Sequence, residues 1–272
     1  CGSPQAGCNT QLGTLSNCTF CGEDCGANGF CLATGCSDHL DIAVVGTDVN
    51  GIMSFGTSGI PVLTKTHSLG TAAGNSRIVL VGVTASEPYL KTESVKYNGT
   101  TMTVGPQINT NEMHSYAGIF YLLDAALPSA PGPYPVAVTY NGNAFAGVGT
   151  VDILEFKNVQ QSPSPFVTTS AVEVDNDCAQ SGFLNRAVTL TFPQAQAGSY
   201  GYAVIGARGS SSASVSSPGG LTQTMNLLNA SDPVFLGVAG YAPIGNTATF
   251  SWDITDCWNS ANVAVALKRV GN

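Results

Sequence analysis

The chain has 272 residues, 43% of them hydrophobic but only 10% charged, where ordinary soluble domains carry roughly 25% charged residues. The net charge is −8, with nine Lys and Arg and no basic cluster, which argues against nucleic acid and anionic membrane surfaces as partners. The composition is too apolar for intrinsic disorder, and no apolar run reaches the ~18 residues needed to span a bilayer as a helix.

The first 37 residues read as a cysteine module. Within them, "CNTQLGTLSNCTFCGEDCGANGFCLATGC" holds Cys8, Cys18, Cys21, Cys25, Cys31 and Cys36. Cys18-x2-Cys21 and Cys21-x3-Cys25 have spacings that zinc sites use. No His lies inside the cluster, and the nearest, His39, sits beyond it. Disulfides fit this low-charge, Gly-rich chain better than metal, and they point to an oxidising compartment. Spacing cannot fix their connectivity, and no cofactor is expected. Cys178 and Cys257 then pair by elimination. Their bridge would close a loop of about 80 residues, stabilising by about 4 kcal/mol in the chain-entropy model. Cys1 is left over. A start at Cys1 reads as a mature terminus after removal of an export signal, with arbitrary numbering as the alternative.

Two resemblances touch this region. "NTQLGTLSNCTFCGEDCGANGFC" resembles the Cys-rich leader of many myxobacterial secreted and surface proteins, and stigma-specific Cys-rich modules are similar. Asn9-Thr10, Asn17-Cys18, Cys21-Gly22 and Cys25 carry the match, while Phe20 stands where Gly is usual. Cys1-Gly2-Ser3 resembles a processed bacterial lipoprotein terminus, in which diacylglycerol caps the thiol. A disulfide from Cys1 to a neighbouring subunit is the equal alternative.

From residue 41 the pattern is β throughout. "DIAVVGTDV" and "GIPVLTKTHSL" come first. "SRIVLVGVTAS" is a near-continuous apolar run, as for a strand buried on both faces. In "SVKYNGTTMTV", Asn98-Gly99 predicts a type I′ hairpin turn, because both central residues of that turn need φ > 0. "SYAGIFYLL", "YPVAVTYNG" and "FAGVGTVDILEF" follow, the last as one strand or two. "NVQQSPSPFVTTS" is a break. Beyond it run "SAVEV", "AVTLTF", "YGYAVIGA", "LTQTMNLL", "PVFLGVAGY", "TATFSWDI" and "NVAVALKRV". Few helices and no repeat period are expected.

The order of these runs resembles a jelly-roll-like sandwich domain of bacterial secreted proteins. "RIVLVGV", "VKYNGTTMT", "IFYLL" and "CWNSANVAVALKR" carry that likeness. The likeness covers about residues 61–270 and implies an all-β, jelly-roll-like two-sheet sandwich, here set at residues 38–272 behind the module at 1–37. A subdivision near 158–168 is the second option. The matching positions are core and turn residues, so the resemblance brings no catalytic role.

No catalytic motif stands out, and no enzyme is expected. "GTSGI" around Ser58 lacks the second Gly of a nucleophile elbow. His67 and His114 are far apart and read as surface or satisfied histidines. Asp175, Asn176 and Asp177 offer oxygens that suit calcium, but a solvated turn explains them as well. Tyr200 and Tyr202 would share one face, as a platform for sugar or as core filling. Trp252 reads as core-facing, and Trp258 is the other tryptophan. The sequons at Asn17, Asn98 and Asn229 would be accidental in a bacterial protein.

The sequence thus reads as a non-enzymatic structural or adhesive protein of the outer cell surface or beyond. It is expected to be a homo-oligomer or homopolymer, with "RIVLVGVT" and "NVAVALK" as recruiting edge strands and the leader with "DIAVVGTDV" as donor. A carbohydrate-binding surface lipoprotein is the alternative, and a secreted hydrolase is third.

Overall fold

The computed structural model of the chain describes residues 30–32, 35–37, 40–55, 60–86, 91–110, 115–141, 147–174, 186–192, 198–209, 215–216, 222–230, 235–244, 248–254 and 257–271. Among them the only helical element is a single 3-10 turn at Asp124–Ala126. All strand pairing is antiparallel, so the all-β expectation holds. In the leader, β1 (Phe30–Leu32) and β2 (Gly35–Ser37) form a hairpin whose register sets Cys31 opposite Cys36.

The body begins with β3 (Ala43–Phe55), β4 (Val62–Leu69), β5 (Ile78–Ser86), β6 (Lys91–Tyr97), β7 (Thr100–Thr101), β8 (Thr103–Asn109), β9 (Ser115–Leu123), β10 (Gly132–Asn141) and β11 (Gly147–Lys157). They form an outer sheet ordered β4-β10-β6-β7 and an inner sheet ordered β3-β11-β5-β9-β8. Next come β12 (Phe166–Val174), β13 (Arg186–Phe192), β14 (Ser199–Gly209), β15 (Val215–Ser216), β16 (Thr222–Asn229), β17 (Phe235–Ile244), β18 (Ala248–Ile254) and β19 (Cys257–Leu267). These form a second inner sheet, β12-β19-β14-β17-β16, and a smaller sheet, β13-β18-β15, beside β12 and β19. The sandwich character expected of the body holds, and among the described residues it is built from four sheets of three or more strands, arranged in two pairs. The chain passes from one pair to the other through residues 158–165.

Two cores explain why the pairs stack. Val79, Val81, Val83 and Ala85 of β5 pack with Val95, Tyr97, Val136 and Tyr140 of the outer sheet. Ile78 and Leu80, on the opposite face, pack with Tyr202, Val204, Val263 and Val265 of the second inner sheet. Alternate residues of β5 thus enter different cores, and all nine are buried. This is the doubly buried strand that its continuous apolar run predicts. Each fully buried Val, Leu or Ile contributes about 1.5–3 kcal/mol, so a middle layer needs apolar residues on both faces.

The link between the pairs is tied down. Arg77, fully buried, forms an ion pair with Asp124 and donates to the carbonyls of Thr71 at 2.7 Å and Pro128 at 3.0 Å. Gln161 donates to the carbonyls of Arg77 and Val159, and its Oε1 accepts from the Asp124 amide. Backbone amides of Asn158 and Val159 donate to Asn75 and Ser76, and that of Gln160 donates to Lys268. The proline-bearing break is thus a hydrogen-bonded strap. Asn98 at φ 46° and Gly99 at φ 81° make the hairpin turn read from the sequence.

Candidate functional site

Three features of the described residues are candidates for chemistry or binding. The first is polar and lies inside the first pair of sheets. His67, on the inward face of β4, is fully buried. Its Nδ1 is 3.0 Å from the Tyr97 hydroxyl, with the rings edge to face at 5.8 Å. Nε2 has no hydrogen-bond partner among the described residues. Burial lowers the His67 pKa, and the nearby Glu155 carboxylate only partly opposes this. Burial first, then the charge of Glu155, raises the Tyr97 pKa. Glu155, itself fully buried, accepts from the Gly70 amide at 2.6 Å and from the Thr71 hydroxyl. The imidazole is thus tied to β6 through Tyr97 while Glu155 braces the loop after β4, and both neighbours of the ring are themselves enclosed.

The second feature bridges the inner sheets. Asp152 of β11 is fully buried and accepts at Oδ2 from Tyr202 at 2.8 Å and Thr224 at 2.9 Å. Asn50 donates to the Thr224 carbonyl at 2.7 Å. Gly82 makes this possible, because a Cβ there would lie 2.2 Å from the Tyr202 hydroxyl. Burial, then the Asp152 charge, raises the Tyr202 pKa well above that of an ordinary tyrosine. A buried carboxylate with two hydroxyl donors from the facing sheet is a strut.

The third feature is a lateral side of the molecule. Edge strands β4, β3 and β16 lie next to one another there, one from each of three sheets. Five large hydrophobic residues are exposed among the described residues, and four fall on or beside these strands: Ile52, Ile60, Val62 and Leu228. The charges in the three strands are Asp48 and Lys65. The Lys65 stem lies flat over Gly51, where a Cβ would come within 2.0 Å of it. On the opposite side β8 carries Pro106 and a bulge, and β12 carries a bulge and Glu173. Bulges occur on this side as well, in β3 and β16, so of these edge-blunting devices the proline is the one confined to the opposite strands.

The sequence candidates fare unevenly. Tyr200 and Tyr202 do share a face, and both pack into the core between the inner sheets. Tyr200 remains half-buried, 6.3 Å from Tyr241 and 6.0 Å from Phe156. His67 is buried rather than at the surface. The apolar runs read as edges are interior strands: β5 lies between β11 and β9, and β19 between β12 and β14. "DIAVVGTDV" is no free donor, since Ala43–Phe55 pairs with β11 of its own sheet. Cys1, Cys8, Cys18, Cys21, Cys25 and Cys178 lie outside the described residues, as do His39, Ser58, His114, Asp175, Asn176 and Asp177. So do the side chains of Cys31, Cys36, Cys257, Trp252 and Trp258. Sequence reading missed Asp152, Glu155 and Arg77. Their signal was a charge inside or just before a long apolar strand, which demands a buried partner.

Among the described residues no group of three or more His, Cys, Asp or Glu is placed to hold a metal ion. No helix among them is long and apolar enough to cross a membrane. A scan against protein-family models gives no match, and a search of curated proteins finds no significant match.

Proposed function

We propose that the chain is a non-enzymatic structural or adhesive protein that assembles with copies of itself outside the cell or on its surface. The observation that carries this reading is the lateral side made by β4, β3 and β16. It combines three edge strands, exposed Ile52, Val62 and Leu228, and almost no charge. Unpaired backbone N–H and C=O groups with apolar side chains between them attract a further strand. The N-terminal module of a neighbouring subunit, locked by disulfides among Cys8, Cys18, Cys21, Cys25, Cys31 and Cys36, is the partner we assign to it. Cys178 bonded to Cys257, and a lipid or intersubunit disulfide on Cys1, belong to the same reading. So does a jelly-roll-like assignment of each sheet pair, supported by the order β3-β11-β5-β9 facing β4-β10-β6-β7.

Light scattering of the full chain against concentration tests this. The intact protein should associate, and a variant carrying Ile52→Lys and Leu228→Lys should stay monomeric with its folding stability unchanged within about 0.5 kcal/mol. A wild-type chain that stays monomeric at high concentration ends the assembly reading. Carbohydrate binding then becomes the better account. The half-buried Tyr200 and Tyr241 pair favours it, because partly exposed aromatic rings suit sugar faces.

A further inference from the structure

The inner sheets share one strand order, β3-β11-β5-β9-β8 and β12-β19-β14-β17-β16, and their partner sheets repeat the match as β4-β10-β6 and β13-β18-β15. Place by place, β3 corresponds to β12, β11 to β19, β5 to β14, β9 to β17 and β8 to β16. The contacts between the inner sheets respect this correspondence. The central strand β5 lies on β14, its own counterpart. β9 meets β19 as β11 meets β17, and β9 meets β14 as β5 meets β17. In the same way β8 meets β12 as β3 meets β16, and β8 meets β19 as β11 meets β16. Exchanging the halves converts each of these contacts into another of the set, which is the property of a two-fold, isologous interface.

Strand direction agrees. Gly82 lies against Tyr202 and Val204, and further along β5 Thr84 lies against Gly206. β5 and β14 therefore run the same way, as a two-fold axis along the strands requires. The approach is close: a Cβ on Gly206 would lie 2.7 Å from the Tyr116 carbonyl, and one on Gly237 would lie 2.2 Å from the Thr150 hydroxyl. Hydrogen bonds cross the face from the Tyr202 and Thr224 hydroxyls to Asp152, and from Ser115 to Asn259 at 2.8 Å.

We infer that the contact between the inner sheets is a dimer interface closed within one chain. The partner that each inner face fits is a unit of its own strand order, and residues 158–165 supply the covalent link together with the hydrogen-bonded strap described above. This goes beyond the assembly reading, which concerns the lateral side, and it stands if that reading fails.

The test uses the full chain with a protease site inserted in the exposed stretch 162–164. After complete cleavage under reductant, the two pieces should migrate together at the size of the intact protein. When unlabelled and 15N-labelled cleaved samples are mixed, unfolded and refolded, native mass spectrometry should find hybrid pairs. Tyr202→Phe in the cleaved protein should weaken the pairing at least about tenfold, since it removes a hydrogen bond to a carboxylate. Gly206→Leu should separate the pieces. Should that variant fail to fold, the Tyr202→Phe arm and the hybrid pairs still decide. Pieces that part at micromolar concentration, or refold without forming hybrids, overturn the inference.

Discussion

Asp152 and Glu155 sit three residues apart in one ten-residue buried run, yet they serve opposite faces of β11. Asp152 meets hydroxyls of the second inner sheet, and Glu155 meets the loop after β4. A buried carboxylate is tolerable only with donors in place, so removing one donor is costly. Tyr202→Phe should lower folding stability by about 1.5–3 kcal/mol, read as a shift of the urea midpoint; a shift within error would mean that the bond is dispensable. His67 makes a second, pH-dependent prediction. Its folded pKa lies below the ordinary 6.5 because the ring is buried. Below that pH the unfolded chain binds the proton first, so stability falls with acidification. His67→Gln, which keeps a polar group beside Tyr97 and cannot titrate, should lose less stability than wild type between pH 7 and 5. The enclosed tyrosines act at the other end of the scale. Burial pushes Tyr116 up to about 12 and raises Tyr97, Tyr140 and Tyr202 as well. Their contribution is complete below pH 10 and is lost as pH rises, about 2–3 kcal/mol for Tyr116 alone. Thermal melts should therefore drop steeply above pH 10, and a flat profile to pH 11 would contradict this burial.

At the scale of the element, position in a sheet decides what a residue is worth. Leu80 on β5 is fully buried between the inner sheets, whereas Ile52 on edge strand β3 is 37% exposed. Leu80→Ala should cost about 2–5 kcal/mol, and Ile52→Ala should stay within about 0.5 kcal/mol; equal costs measured by denaturant unfolding would refute the layered arrangement. Strand existence was legible because the signals are local. Asn98-Gly99 fixes its turn by φ alone, and the continuous run of β5 has no polar face to show water. Strand neighbours were not legible. Apolar β19 looked like a recruiting edge, but it is apolar because sheets or strands cover it on every side. The true edges, such as β16 with "TQTMNLLN", look unremarkable as sequence. The repeat of strand order was also hidden. A core needs only apolar residues at alternate positions, so two sandwiches can share topology with no residue period in common. The charged residues of the candidate site were hidden for a related reason. A buried Asp is identified by its donors, and Tyr202 and Thr224 come from strands 50 and 72 residues away.

For the whole molecule, the arrangement determines which truncation can test assembly. Leu40 donates to the Val270 carbonyl, the Asp41 carbonyl accepts from Asn158, and Ile42 is 3% exposed in the core between the inner sheets. Residues 43–50 then form more than half of β3, paired with β11 from Lys157 back to Asp152. Cutting at residue 50 would strip β11 of its neighbour and open a second, longer edge, so that chain should aggregate or unfold. Cutting after Ser37 removes the cysteine module and leaves each of these contacts in place. If the module is the donor to the lateral side of the next subunit, the protein lacking residues 1–37 should fold with an unchanged urea midpoint and remain monomeric at concentrations where the intact chain associates. Adding the intact chain should then recruit it as a terminal subunit, because its own β4, β3 and β16 side is still open to a neighbour's module. A truncated protein that associates as strongly as the intact chain would show that the module is not the donor and would leave strand pairing between bodies as the contact to pursue.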